Sequence, residues 1–367
     1  MSQTQAQPER LPVALLTGFL GSGKTTLLNR LLKHPGMGET AVIVNEFGEV
    51  GLDHALIEKV DGNTILLDSG CLCCTVKNDL TETLWDLIGK RRRGEVPPFQ
   101  RVVIETTGLA DPAPILHLFL TDPLLLRQYR LQSVVTTVDA VNGWNTLDKQ
   151  FEAVKQVAMA DRLVLTKTDL AKPAAVAMLE QRLARLNPGA PLVRADRDFG
   201  PDGLFRAELY DPATKTADVQ NWLRAEAFEA PADDGHGHGH HHDHDHGHAH
   251  DHHGHDHQDV NRHDDQIRAF SLVFDEPLVW DTVAAWLDLL AAYRGDDLLR
   301  IKGIINVEGV DLPVALHGVQ HLFHPPATLP AWPDADRRSR IVFITRNVGR
   351  DLIEQTLASI KSAQPAA

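Results

Sequence analysis

Residues 18–25 read Gly-Phe-Leu-Gly-Ser-Gly-Lys-Thr and fill every fixed position of the phosphate-binding pattern G-x-x-x-x-G-K-[ST]. The motif works only between a strand and a helix, and its flanks supply both. An apolar run at 13–17 predicts a buried strand. The segment 25–33 predicts a helix with Leu27, Leu28, Leu31 and Leu32 on its buried side. Gly18, Gly21 and Gly23 let backbone N–H groups turn inward around phosphate oxygens, with Ser22 and Thr26 alongside, and the helix N-terminus adds its positive end. Lys24 is expected to reach the β- and γ-phosphates, and the Thr25 hydroxyl to ligate Mg2+. The competing reading, a glycine-rich turn before a helix, leaves the Gly-Lys-Thr ending unexplained.

The rest of the chain is consistent with a sheet built to carry such a loop. β-rich runs at 40–45, 64–67, 101–105, 133–138, 162–166 and 192–193 alternate with helical patterns such as 79–92 and 173–186. That alternation predicts an α/β, doubly wound, mostly parallel P-loop NTPase sheet. The pattern stops near Phe228. Residues 236–257 hold 13 histidines among Asp, Gly and one Ala, from which no core can be built, so 228–265 is expected to be a flexible linker. Strands near 268–274, 299–307, 312–317 and 340–345, with helices at 279–290 and 351–360, predict a small α+β C-terminal domain. The expected division is therefore 11–227, 228–265 and 266–362.

Composition narrows the partners. A net charge of −14 argues against nucleic acid or an anionic membrane surface as the main one. No apolar run approaches the ~20 residues of a membrane helix. The first ten residues are polar and lack a signal-peptide core, so a cytoplasmic setting is the expectation.

Two further segments bear on the nucleotide. Strand 101–105 ends in Glu105-Thr106-Thr107-Gly108, which places a carboxylate at Mg2+ or its waters and a glycine at the γ-phosphate. Thr166-Lys167-Thr168-Asp169 fits the guanine-reading pattern [NT]-K-x-D. The Asp169 carboxylate can accept from both N1–H and the exocyclic amine of guanine, a donor pair that adenine lacks. At ~1.5–3 kcal/mol per charged hydrogen bond, two such bonds favour GTP over ATP by roughly a hundredfold or more. Lys167 is expected to pack its stem on the base. No glutamine follows Gly108, and no catalytic base is evident. Hydrolysis by this chemistry, mostly charge stabilisation and positioning, is expected to be slow without a partner, second subunit or metal.

The chain's three cysteines, Cys71, Cys73 and Cys74, fall within four residues. Such spacing cannot be a disulfide framework. Soft thiolates suit Zn2+, Cu+ or Co2+ and predict a metal site completed by an outside group. Glu46, Glu49, Asp53, His54 and His117 are weighed as extra ligands, each against an ordinary packed or solvated role. The histidine tract reads as a metal-gathering arm. His317, His321 and His324 read as strand and loop histidines without metal.

Together, 18–32, 44–53, 70–74, 105–112 and 166–169, with 300–307 and 317–323 in the second domain, resemble the CobW family of P-loop GTPases, related to the metallochaperones for hydrogenase and urease. The resemblance spans nearly the whole chain, and Gly70-Cys71-Leu72-Cys73-Cys74 is its most specific part. It implies GTP binding, slow GTP hydrolysis and delivery of a transition metal, zinc or cobalt, to a client metalloprotein. By position it implies metal-motif roles for Cys71, Cys73 and Cys74. Lys24, Thr25 and Glu105 take the phosphate, Mg2+ and acidic-switch roles. Lys167 and Asp169 take the guanine role, and Glu46 and Glu49 fall in the first switch loop. Related GTPases often work as dimers, so a homodimer is also implied. The segment between Glu46 and Cys71 is shorter than in the cobalamin-synthesis members, which favours zinc. The rival functions are cobalt insertion, a metal buffer with a regulatory nucleotide site, and a P-loop kinase. The kinase predicts ATP preference and gives 166–169 no role.

Overall fold

Strand β1 (Leu11–Gly18) is the axis of the first domain in the computed structural model, which describes residues 10–44, 65–68, 76–196, 200–205 and 266–363. The other strands of its sheet are β2 (Thr40–Val44), β3 (Ile65–Asp68), β4 (Arg101–Glu105), β5 (Tyr129–Asp139), β6 (Arg162–Thr166) and β7 (Leu192–Arg194). With β1 they form a seven-stranded, wholly parallel sheet in the order β3-β2-β4-β1-β5-β6-β7. β1, β2, β4, β5 and β6 are buried on both faces, which is why most of them read as apolar runs.

Side-chain alternation along β1 divides the core. Ala14 and Leu16 pack with Leu27, Leu28, Leu31 and Leu32 of helix α1 (Lys24–Leu32) on one face. Val13 and Leu15 face the other side. That side is covered by α2 (Val76–Arg93), α3 (Ala113–Thr121), α4 (Leu125–Gln128), α5 (Gly143–Lys149), α6 (Phe151–Met159) and α7 (Pro173–Leu186). A short helix, α8 (Pro201–Phe205), returns to the α1 side, where Leu204 and Phe205 are buried. Because β1 lies between β4 and β5, the connections leaving it open a crevice at the strands' C-terminal ends, where doubly wound sheets bind ligands.

The second domain is an antiparallel sheet of β8 (Ile267–Phe274), β9 (Leu298–Ile305), β10 (Val314–Val319), β11 (Leu322–Phe323), β12 (Ala327–Thr328) and β13 (Ser339–Arg346). The strand order is β11-β10-β9-β13-β8, with β12 on β10. Helices α9 (Trp280–Arg294) and α10 (Arg350–Ala363) cover one face around the fully buried Trp286, which lies edge-on to Phe343. The opposite face carries Leu299, Ile304, Val319, Val342 and Ile344 into the core of the first domain, against α3, α6 and α7.

Charge fastens this junction. Asp161, wholly buried between α6 and β6, accepts from Arg300 Nη2 at 2.7 Å and Lys302 Nζ at 2.6 Å, both on β9. Its second carboxylate oxygen accepts from the Val134 N–H at 2.9 Å. Burial pushes Asp161 up, but Arg300, Lys302 and the backbone N–H overcome it and hold the carboxyl below its usual range. Burial, then Lys302 and Arg300, pushes the neighbouring His317 imidazole well below its ordinary pKa; its Nδ1 is sealed from solvent. Among the described residues, no helix is long and apolar enough to cross a membrane. The residues expected to form the flexible linker, the histidine tract included, lie outside the described residues from 206 to 265.

Candidate functional site

The phosphate loop begins where β1 ends. Gly18 has φ +139°, and a Cβ there would lie 2.3 Å from Thr137 Oγ1, so only glycine fits. The loop closes on Gly23, the left-handed N-cap of α1. That cap makes no side-chain hydrogen bond and the first turn holds no acid, so the helix-end N–H groups remain open to an anion. Lys24 Nζ donates to the Gly18 carbonyl at 2.9 Å and the Phe19 carbonyl at 3.3 Å, which holds the ammonium over the loop.

The predicted Mg2+ pair meets. Thr25 Oγ1 donates to Glu105 Oε1 at 2.6 Å, from opposite sides of the crevice. Two hard oxygen donors in contact, one anionic, suit Mg2+. Gly108 then runs against the loop: a Cβ there would come within 2.5 Å of the Leu20 backbone nitrogen. Gln156 of α6, fully buried, donates its amide to the carbonyls of Gly108 at 3.2 Å and Ala110 at 3.0 Å. Lys155 pairs with Asp111 at 2.7 Å. The 105–112 segment is thus tied to α6, which also contacts β9 of the second domain.

Residues 166–169 are fastened to the same loop. Thr166 Oγ1 donates to the Ser22 carbonyl at 2.7 Å. Lys167, in the left-handed region at φ 56°, reaches Gly21 O at 2.7 Å and Asp139 Oδ2 at 2.8 Å. Burial raises the Asp139 carboxyl, but Lys167, Asn142 and the backbone N–H groups of Val141 and Asn142 outweigh it and hold the group below the usual range. Asp169 stands exposed beyond this anchor. A cavity of about 230 Å³ borders Gly21, Ser22, Asp139 and Lys167, so loop, β5 and 166–169 share a wall.

Several of these partners were not predicted. Thr137 Oγ1 lies 2.7 Å from Ser22 Oγ; Asp139 holds Lys167; Asp196 Oδ2 accepts from Thr168 at 3.2 Å; and Arg30 of α1 donates to the Ala195 carbonyl. The one available signal was a polar residue at the end of an apolar strand, as at Thr137 and Asp139.

Cys71, Cys73, Cys74, Glu46, Glu49, Asp53 and His54 lie outside the described residues. The described strand ends that precede these residues in sequence are in register. Val44 pairs in register with both Asp68 and Glu105, so β2, β3 and β4 end at one level. Asp68 is two strand spacings, ~10 Å, from Glu105, and Cys71 follows it by three residues. The remaining candidates are dispersed. His117 Nε2 lies 3.1 Å from the Val319 carbonyl in the domain junction, and His321 sits between the Ala291 carbonyl and Asp296. His324 donates its backbone N–H to the His317 carbonyl. Among the described residues, no three His, Cys, Asp or Glu side chains gather closely enough to hold a metal ion.

Comparison with known proteins agrees with this geometry. Residues 12–194 match the family described as CobW/HypB/UreG, nucleotide-binding domain, and residues 267–361 match the cobalamin synthesis protein cobW C-terminal domain. The chain is 32% identical over 354 residues to the zinc chaperone YjiA of Escherichia coli K12, covering 96% of this chain and 99% of that one. It is 28% identical over 384 residues to the zinc-regulated GTPase metalloprotein activator 1 of Saccharomyces cerevisiae, covering 96% and 83%. The crystal structure of Zn(II)-bound YjiA GTPase from E. coli aligns with a TM-score of 0.66 at 28% identity, across 96% of this chain and 99% of that one.

Proposed function

This chain belongs to the CobW family of P-loop GTPases, and we propose that it binds and hydrolyses GTP in order to load zinc and deliver it to a client metalloprotein. The observation that carries the reading is the contact of Thr25 with Glu105 at 2.6 Å, beside a phosphate loop to which Thr166 and Lys167 are both bonded. One crevice thereby brings together the groups for a triphosphate, its Mg2+ and a purine.

In this mechanism the open N–H groups at the start of α1 and the loop orient the phosphates. Lys24 exchanges two loop carbonyls for β- and γ-phosphate oxygens. Thr25 and Glu105 would hold Mg2+, which when bound offsets the charge that develops on the transferred phosphoryl group. Thr166 and Lys167 keep the base-reading segment fixed to the loop, and Asp169 accepts from the two guanine donors. Gln156 holds Gly108 and Ala110 in place, so a contact between Gly108 and the terminal phosphate is felt along α6.

Zinc is the cargo. Cys71, Cys73 and Cys74 supply the thiolates, with Glu46 or Glu49 as a further ligand. These groups follow β2 and β3, whose ends share a level with Glu105. A γ-phosphate that orders this edge assembles the thiolate site, and hydrolysis loosens it. Zinc is favoured over cobalt because two full-length relatives carry zinc in their names. The test is a zinc titration of the full chain and of Cys73→Ser. Weaker zinc binding, with GTP affinity in the absence of zinc unchanged, is expected; unchanged zinc affinity removes the cysteines from the account.

A further inference from the structure

A second cavity, of about 490 Å³, lies at the other end of the first sheet, where β1, β4 and β5 begin. Four arginines line it: Arg10, Arg91, Arg101 and Arg130. Pro12 pairs in register with Arg130 on one side, and Val13 with Val102 on the other, so Arg101 and Arg130 flank Pro12 at one level. Arg91 comes from the basic last turn of α2. Its Nε donates to the Phe99 carbonyl at 3.1 Å, and its guanidinium lies over the Phe99 ring. Two carboxylates stand close by: Asp202 pairs with Arg101 at 2.9 Å, and Glu39 accepts from Gln100. Arg10 and Arg130 make no ion pair or side-chain hydrogen bond with any described residue.

Gln132 supplies an independent observation. It lines the same cavity, is only 7% exposed, and its amide has no side-chain hydrogen-bond partner among the described residues. It is also the extra residue of a β-bulge: Val13 pairs with Leu131 and Ala14 with Ser133, which leaves Gln132 unmatched. Bulges re-aim side chains and gather next to functional sites, and they are rare in parallel pairs. The Gln132 amide opens on the cavity beside two guanidiniums that no carboxylate neutralises, so donors and positive charge both face a ligand's acceptors. Such a basic cavity is also unexpected in a chain of net charge −14.

We propose that this cavity binds a multivalent phosphate-bearing anion. Planar guanidinium forks match phosphate oxygens two at a time, and the Gln132 amide adds a neutral donor. The cavity, of about 490 Å³, has room for a ligand with two or more phosphoryl groups. The site is separate from the nucleotide loop, because Arg101 and Glu105 occupy opposite ends of β4, ~13 Å apart along the strand. An inorganic oligophosphate and the phosphate chain of a nucleotide share this chemistry.

The test uses the full chain with its loop saturated by GDP and Mg2+. Tripolyphosphate in one arm, and ATP in the other, is titrated by calorimetry. One further equivalent should bind, with an affinity that falls as salt rises. The double variant Arg10→Gln/Arg130→Gln should weaken it by at least about tenfold, with GDP affinity and circular dichroism unchanged. Gln132→Leu, which alters no charge, should weaken it as well. Tighter binding of tripolyphosphate assigns the inorganic source, and tighter binding of ATP the nucleotide. No binding to the GDP-saturated chain, or equal affinity in wild type and both variants, overturns the proposal.

Discussion

Asp161→Asn should damage the chain out of proportion to its size. The carboxylate is the shared counter-charge for Arg300 at 2.7 Å and Lys302 at 2.6 Å, and all three side chains are at least nine-tenths buried. An asparagine there keeps the shape but removes the charge. Whichever way its amide turns, an NH2 group faces a donor, either the Val134 N–H or the two cations. Removing one partner of a buried ion pair costs ~3–5 kcal/mol. At ~2–4 °C per kcal/mol, the expected fall in Tm is roughly 6–20 °C. The loss should be concentrated at the junction, so limited proteolysis should separate the two domains before either is degraded. Asp161→Leu combined with Arg300→Met and Lys302→Met should recover much of the stability, because apolar groups of similar volume often replace a buried charge network without loss. Calorimetric melting measures all of this. A Tm for Asp161→Asn within about 2 °C of wild type would refute the view that charge fastens the junction.

Other outcomes follow from the site. Gly108→Ala should lower GTPase turnover at least about tenfold, since its Cβ must displace the Leu20 backbone; steady-state phosphate release reads this directly. Asp169→Ala should cut the preference for GTP over ATP by roughly a hundredfold, seen in nucleotide competition, with the melting temperature little changed because Asp169 is exposed. His317 should make stability pH-dependent. Its folded pKa lies well below 6.5, so the unfolded chain takes up a proton that the folded chain refuses. This contribution is fully present above pH 6.5 and is lost as pH falls below it, at ~1.4 kcal/mol per unit until the folded pKa is reached. His317→Gln should flatten the slope of unfolding free energy by about half a proton at pH 6.5, rising toward one proton by about pH 5.5.

The parallel sheet was legible because its central strands β1, β2, β4 and β6 are buried on both faces and read as nearly unbroken apolar runs. β5 was legible only in part: 133–138 is Val, Thr or Ser, whereas 129–132 carries Arg130 and Gln132 toward the arginine cavity. Helix α3 begins with Pro112 as its cap and Pro114 in its first turn, positions where proline is at home. The phosphate loop, Glu105 and 166–169 were legible because each is a local pattern tied to one ligand. Their supports were not, since Thr137, Asp139 and Gln156 act on segments 28 to 120 residues away. Arg300-Ile301-Lys302 reads as a strand with one wet face; only docking against α6 reveals that the wet face is covered and that Asp161 awaits it.

The central claim is that nucleotide state governs the grip of Cys71, Cys73 and Cys74 on zinc. Competitive zinc titration of the full chain, in Mg2+ with either a non-hydrolysable GTP analogue or GDP, measures that coupling. The account predicts at least about tenfold tighter zinc binding with the analogue, ~1.4 kcal/mol, and by reciprocity an equal gain in analogue affinity when zinc is present. Equal zinc affinity in the two nucleotide states would contradict it.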